Sequence, residues 1–379
     1  MKARILTRRP EGLRLPAIAV ALLVPAAAWA QQPSTTAQAA PSRVEGQAAG
    51  TELHVLPVRG NVFMVVGAGG NIAVSAGIDG QVLVDAGSAA MADKVIETVA
   101  EIGRSVSGGA ARLTTCVGPP CYAPGSLGPY TPFGFASPTY TAVIAAPRAL
   151  KPIRWILQTT LAQDHQGGTP KIAAAGVTYN GGEAGRLVGN TIPATVIGHE
   201  NVLKRMTELK YPEEAWPTET YYIPSHKMSQ YINGEGIQMY HVPNAITDGD
   251  SIVFFRFSDV IATGDVFTPG RYPMIDMAKG GSVQGVLDGL NKVIDLAFPE
   301  FRHQGGTLVI PGHGRLGDVS DVAIYRNMVE VIRDRVQDLI KQGMSLQQVK
   351  AAKPTLDYDG IYGSPDAFID AVYQSLAKK

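Results

Sequence analysis

Histidine, aspartate and cysteine are the side chains here best suited to holding a metal or moving a proton, and they fall into a few short motifs. Asp164 and His165 stand in Thr160-Leu161-Ala162-Gln163-Asp164-His165-Gln166-Gly167-Gly168, just after an apolar stretch. Asp265 closes Thr263-Gly264-Asp265, and His313 lies in Ile310-Pro311-Gly312-His313-Gly314. Imidazole and carboxylate groups ligate zinc and related ions, and histidine also titrates near neutral pH. The same residue types are common in turns and helix caps. His199, in Gly198-His199-Glu200-Asn201, sits at a strand-to-helix junction and reads as a cap or packing residue. His241 falls in an apolar strand and reads as a satisfied core residue, His226 and His303 lie in polar loops, and His54 opens the first strand. Lys227 and Tyr272 are candidates to reach a cleft and meet an anionic substrate.

The only cysteines, Cys116 and Cys121, lie in Cys-Val-Gly-Pro-Pro-Cys. In an oxidising compartment two close cysteines form a local disulfide that closes a tight loop. With no second cysteine pair and no adjacent histidine, a zinc role for them is the weaker reading. Gly69-Gly70 and Gly280-Gly281 lack the Lys-Ser/Thr that marks a phosphate loop, so both read as turns.

The elements that must position these residues alternate between sheet and helix. Strand patterns run through His54–Val58, Val62–Val66, Asn71–Ser75 and Gln81–Asp85, with a hairpin turn at Asp79-Gly80. Met91, Val95, Ile96, Val99 and Ile102 recur at helical spacing. Residues 104–150 break the rhythm with both cysteines, many Gly and Pro, and Tyr122, Tyr130, Phe133, Phe135 and Tyr140. So long an irregular stretch is either a pinned surface insertion or a flap over an active site. Strands resume at Ile153–Leu157, a polar loop covers Gln158–Gly168, and a strand at Ala194–Gly198 precedes a helix at Glu200–Leu209. Further strands are expected at Ile237–Val242, Ser251–Phe257, Asp259–Ala262 and Thr307–Ile310.

The chain then closes with helices. One spans Asp321–Gln342, with a stripe of Ile324, Met328, Val331, Ile332, Val336, Leu339 and Ile340. A second is capped by Ser345 with Gln348 three residues on, and a third opens at Ser364-Pro365. Strands, helix, strands and helices in two rough halves fit an α/β fold, a four-layer αββα sandwich.

Residues 1–30 look like a secretory signal. Lys2, Arg4, Arg8, Arg9 and Arg14 precede the apolar stretch Leu15–Val24, and Ala28-Trp29-Ala30 gives the small-x-small cleavage pattern. Residues 31–50, rich in Gln, Pro, Ser, Thr and Ala, read as a flexible leader. Thr7-Arg8-Arg9 leaves the twin-arginine route as a minor alternative to general secretion. The expected location is periplasmic or secreted. Without the signal the chain carries 28 positive and 32 negative residues, a net charge of −4, with no basic block. That balance argues against nucleic-acid or anionic-membrane partners and leaves a small-molecule substrate as the expected one. No second apolar run is long enough to span a bilayer. Oligomeric state is not legible.

Five of the motifs, in order, resemble those of the metallo-β-lactamase superfamily. Residues 160–165 match the family's His-x-His-x-Asp-His loop, and Val82-Leu83-Val84-Asp85-Ala86-Gly87 matches the motif before it. Thr247-Asp248-Gly249-Asp250-Ser251 resembles the stretch that normally begins with a ligand histidine, Thr263-Gly264-Asp265 the bridging aspartate, and Ile310–Gly314 the last motif. The resemblance covers about residues 53–320 and implies a metallo-β-lactamase-like domain over 51–320, with 104–150 as an insertion and 321–379 as a helical extension packed on it.

Position by position, the resemblance splits. Thr160, Ala162 and Ile246 stand where the family places the three histidines of its first metal site. Alanine and isoleucine have no donor atom, and a neutral hydroxyl is a poor zinc ligand, so that site is lost. Asp164, His165, Asp265 and His313 stand at the ligand positions of the second metal, and all four can ligate. Two nitrogens and two carboxylates suit one Zn²⁺, with Fe²⁺ or Mn²⁺ in a wider shell as alternatives. Asp85 reads as a hydrogen-bonding support for the metal loop. Thr160 could position water and Asp164 could act as base.

The implied function is an exported hydrolase in which a single metal activates water toward an ester, lactam or thioester-like bond. Two alternatives stand beside it. One is a non-catalytic binding protein that keeps the cleft without the chemistry. The other is an iron-dependent redox enzyme on the same scaffold.

Overall fold

The computed structural model describes residues 52–107, 130–131, 134–135, 152–178, 192–297 and 306–377, all within one compact unit, Arg43–Lys379. The signal and leader at 1–50, Cys116 and Cys121, Tyr122, Phe133, Tyr140 and His303 lie outside the described residues.

The first sheet holds β1 (His54–Arg59), β2 (Val62–Val66), β3 (Ile72–Gly77), β4 (Gly80–Val84), β7 (Ile153–Leu157), β8 (Thr195–His199) and β9 (Glu219–Tyr221), in that spatial order. A separate short pair, β5 (Tyr130–Thr131) and β6 (Gly134–Phe135), lies within the interrupting segment. The second sheet runs β10 (Ser225–Lys227), β11 (Ile237–His241), β12 (Ser251–Phe255), β13 (Val260–Ala262), β14 (Leu308–Ile310) and β15 (Gly317–Asp318). Hairpins build β1–β4 and β10–β13, whereas β4, β7, β8 and β9 are parallel, as are β13 and β14.

Three apolar clusters make the four layers, and the period-two alternation of the strands separates them. Between the sheets lie Val82, Val84, Trp155, Leu157, Met239, Val253, Phe255 and Ala262. Leu83, Ile156 and Val196 point the other way, toward helix α1 (Ala92–Ser107). On the far side Ile252, Phe254, Ile261 and Val309 meet the helical layer formed by α5 (Val283–Leu296), α6 (Val319–Lys341) and α9 (Asp366–Ala377). The expected αββα sandwich is what the chain forms.

The remaining helices are α2 (Gln163–Gln166), α3 (Thr169–Ala175), α4 (Glu200–Glu208), α7 (Leu346–Ala351) and α8 (Asp359–Tyr362). In α7 the Gln348 side chain accepts from Ser345 N at 2.8 Å, the expected cap pairing. Helix α1 runs to Ser107, so the irregular segment starts later than residue 104. The α6 stripe is also shifted. Ile324 is 62% exposed and Val331 36%, while Val322, Tyr325 and Val329 take core positions beside Met328, Ile332 and Val336.

Helix α5 has no counterpart in the sequence reading, although Val283, Val286, Leu287, Leu290 and Val293 repeat at helical spacing and are all buried. Gly285 and Gly289 obscure that pattern, because glycine weakens a helix. Gly285 is there for proximity: a Cβ would collide with the Asn244 carbonyl, so the helix lies directly on the loop that precedes Ile246.

One buried carboxylate joins two turns of the second sheet. Glu235 is fully buried and accepts from Phe257 N at 3.0 Å, Ser258 N at 3.1 Å, and the Ser258 hydroxyl. Glu235→Ala is expected to strand these donors at a cost of about 2–4 kcal/mol. A urea midpoint lowered with the slope unchanged would confirm it; an unchanged midpoint would refute it.

Candidate metal centre

The matched residues all lie at the carboxyl ends of strands. Asp85 follows β4, Asp164 and His165 occupy α2 after β7, Asp265 follows β13, and His313 follows β14. Where parallel strands end side by side, the loops leaving them converge, and α/β proteins bind ligands there. The α2 turn is tied to the glycine loop by Gly70 N donating to Asp164 O at 2.8 Å. Asn71 then joins that loop to the His313 loop, donating from N to Gly312 O at 2.8 Å and from Nδ2 to Pro311 O at 2.9 Å. Gly70 does more than turn the chain, since a Cβ there would run into the His165 ring.

His165 is held from behind. Its Nδ1 lies 2.8 Å from Asp85 Oδ2, and the same carboxylate accepts from Thr159 N at 2.9 Å, Thr159 Oγ1 at 2.6 Å and Gln166 Nε2 at 2.6 Å. Asp85 is buried and has φ +67°, a conformation uncommon for a residue with a side chain. With its proton on Nδ1, His165 presents the Nε2 lone pair forward.

In front of that nitrogen the other three groups gather. His165 Nε2 is 3.3 Å from Asp265 Oδ1, His313 Nε2 is 3.6 Å from the same oxygen, and His313 Nε2 is 3.0 Å from Asp164 Oδ2. Asp164, His165 and His313 form the group among the described residues whose donor atoms could share one ion. His165 Nε2, Asp265 Oδ1 and His313 Nε2 are all buried without a properly directed hydrogen bond. Zinc bonds of about 2.0–2.1 Å in tetrahedral array would hold their ligand atoms about 3.3 Å apart, which is the spacing seen here. Two imidazoles and two carboxylates are also a donor set that a divalent ion accepts. The residues therefore fit one metal ion.

The electrostatics point the same way. His313 and His165 hold the Asp164 carboxyl below its ordinary range, against the cost of its burial. Burial opposes charge on His165, yet the Asp265 and Asp85 carboxylates push its pKa well above the ordinary value. Burial opposes charge on Asp265 as well, and His165, His313 and Arg271 hold it below the ordinary range. The cluster favours positive charge at its centre.

Thr160, Ala162 and Ile246 line the cavity beside this cluster, together with Leu161, Thr268 and Arg271. No nitrogen or carboxylate stands at the three positions. Tyr272 does not reach the cavity: it is buried, donates to Asp359 Oδ1 at 2.9 Å and stacks on Phe368. Lys227 does not reach it either, and lies on β10 near the Tyr231 ring beside a different pocket. Sequence reasoning missed Asn71 and Arg271. Neither belongs to a quoted motif, and each works through contacts that only the folded chain creates.

Comparison with known proteins adds the fold. No protein-family model matches the chain, and no curated protein matches it in sequence. Among solved structures it resembles the stereoselective inverting sec-alkylsulfatase Pisa1 from Pseudomonas sp., at 14% identity and a TM-score of 0.51. That likeness covers 85% of this chain and 50% of the sulfatase, and a double mutant of the same sulfatase gives a TM-score of 0.53. A metallo-beta-lactamase from Pontibacter korlensis matches at 12% identity and a TM-score of 0.44, over 74% of this chain and 99% of that one. The chain has the metallo-β-lactamase fold. The likeness is one of fold, and the chain spans about half the length of the sulfatase it matches.

Outside the cluster, His199 caps α4 by accepting from Asn201 N at 3.3 Å, and its ring stacks on His241 at 3.6 Å. The His241 Nε2 lies 2.9 Å from Asp248 O. Burial, and then the like charge of His241, lower the His199 pKa from 6.5 to about 4. Between those values the unfolded chain binds the proton and the folded chain does not. This pair should therefore contribute stability that is fully present above pH about 6.5 and lost as pH falls toward about 4. His199→Asn replaces the capping ring nitrogen with a side-chain oxygen that can also accept from Asn201 N, and is expected to flatten this part of the urea-midpoint profile. An identical profile in wild type and variant would show that His199 does not titrate this way.

Proposed function

We propose that this protein is an exported, single-metal hydrolase of the metallo-β-lactamase fold acting on a small molecule. The observation that carries the reading is the convergence of four donor groups, three of which, His165, Asp265 and His313, present buried inward atoms without a hydrogen bond. A metal bound there would supply Lewis acidity and lower the pKa of a coordinated water to about 7. His165, oriented by Asp85, and His313 would hold the ion as neutral ligands, with Asp265 and Asp164 supplying the negative charge. Asp164 lines the cavity, and that position is what makes it the candidate to take a proton from water arriving there; its lowered pKa keeps it ionised but makes it a weak base. Ester, lactam and thioester-like bonds remain the substrate classes proposed, and zinc the proposed ion, with iron or manganese as alternatives. The basic and apolar N-terminal segment supports export.

A second reading has an observation of its own. Thr160, Ala162 and Ile246 leave the cavity without the polar set that a second ion would bring, which suits a binding protein with no turnover. Metal analysis of the purified protein, followed by a screen of ester, lactam and thioester substrates, separates the two. About one ion per chain with metal-dependent hydrolysis supports the hydrolase. Bound metal without turnover of any class supports the binding protein. Failure to bind zinc, iron or manganese after reconstitution sinks the proposed centre. Tight iron with an oxygen-dependent reaction would instead favour the redox alternative.

A further inference from the structure

The cavity beside the cluster has a volume of about 170 Å³, and an apolar space of about 150 Å³ accepts a benzene ring. Its lining joins three of the cluster's residues to Thr160, Leu161, Ala162, Ile246 and Met274. Thr160, Ala162 and Ile246 stand at the positions of the three histidines that would hold a first metal. Threonine and alanine are smaller than histidine, so the volume those rings would take stays open instead of being packed shut.

The apolar wall is held firmly, because two separate cores support it. Leu161 packs with Val202 and Met206 of α4, and Ile246 belongs to the cluster beneath the helical layer. The Ile246 carbonyl accepts from Asp276 N at 2.9 Å, and Gly281 lies so close that a Cβ there would meet the same oxygen. Met274 differs from these residues. It is 72% exposed, and an unbranched thioether adapts its shape to whatever enters. Water lying against such groups is released at a gain in free energy when an apolar group takes its place.

We propose that the space left by the first-metal histidines is a subsite for an uncharged apolar group of the substrate, an alkyl chain or single ring of about four to six carbons. Leu161, Ala162 and Ile246 form its fixed wall, and Met274 its adaptable one. Positions that would have bound an ion thus select the group that enters beside the remaining metal. This rests on the hydrolase reading in placing that group on the substrate rather than on a separate ligand.

Methyl-resolved NMR titration with ethanol, 1-propanol, 1-butanol and 1-pentanol tests it, using the full chain as purified and after zinc loading. The methyl signals of Leu161, Ala162, Ile246 and Met274 are expected to shift together, with affinity rising about threefold to fourfold for each added methylene. Ala162→Leu fills the space without adding charge and should weaken 1-pentanol binding about tenfold, the loss of roughly two methylenes of contact. Ile324→Ser, at an exposed position on α6, should match wild type. Shifts confined to other methyl groups overturn the proposal. So does an affinity independent of chain length, or equal binding by wild type and Ala162→Leu. Should Ala162→Leu misfold, Met274→Ser, at an exposed position, replaces it. Weaker 1-pentanol binding by that variant supports the proposal, and unchanged binding refutes it. Zinc binding without length-dependent alcohol binding removes this inference alone. Length-dependent alcohol binding at these methyls in a chain that takes up no metal removes the hydrolase reading alone.

Discussion

Replacing Asp164 and His165 together with alanine is expected to reduce bound zinc from about one ion per chain to a small fraction of that. Four-ligand protein sites hold zinc with about 10–16 kcal/mol, or about 3 kcal/mol per ligand. Losing two ligands therefore costs about 6 kcal/mol, roughly four powers of ten in affinity. Hydrolysis, where the wild type shows it, should disappear in the same step. The two residues differ in what else they do. His165 is fully buried against Gly70, so its removal also leaves a hole behind the site. Asp164 is 45% exposed and its side chain has no core role. Asp164→Asn is thus the cleaner single variant: its melting temperature should stay close to wild type while zinc affinity falls. Wild-type zinc stoichiometry in the double variant would show that the ion sits elsewhere.

The sequence made the site more legible than the scaffold around it. Asp164-His165, Asp265 and His313 are adjacent to strand ends, so motifs that are short in sequence become neighbours once the parallel strands align. The layer order was legible for a similar reason. Alternation in strands such as Ser251–Phe255 assigns one face to each core. Helix α5 was hidden because Gly285 serves the close approach to Asn244 and lowers helical propensity at once. The short helix α2 is hidden in a polar stretch, and α3, Thr169–Ala175, is only seven residues long, too short to show a period. Tyr272 illustrates a different limit. Its type and neighbourhood suit a cleft residue, but the helical layer supplies Asp359 and Phe368 as partners and draws it into the core. Arg271, one residue earlier, stays in the cavity. Which of two adjacent polar side chains faces a site depends on the turn after Pro269, and residue types alone do not fix that.

Asp85→Asn is expected to leave the fold intact and weaken metal binding by about 10–100-fold. Asparagine tolerates the positive φ of this position better than most residues, so the backbone has no reason to move. The consequence lies in hydrogen-bond direction. Asp85 Oδ1 faces Thr159 N and Gln166 Nε2, whereas Oδ2 faces Thr159 Oγ1 and His165 Nδ1. The Thr159 amide can only donate, so the asparagine oxygen must stay at the Oδ1 position and its NH₂ must face His165. The Thr159 hydroxyl can rotate to accept, and His165 can accept only by moving its proton from Nδ1 to Nε2. That transfer blocks the lone pair offered to the metal. Nitrogen chemical shifts of His165 would report the tautomer directly, and zinc competition would report the affinity. Asp85→Ala serves as the contrast. It leaves four buried donors without an acceptor, each costing about 1–3 kcal/mol, against a total stability of about 5–15 kcal/mol for a typical protein. The alanine variant should therefore lose stability as well as metal, and the asparagine variant chiefly metal. If Asp85→Asn bound zinc as tightly as wild type with an unchanged His165 tautomer, Asp85 would be a packing residue, and the orientation of His165 would have to come from the close approach of Gly70.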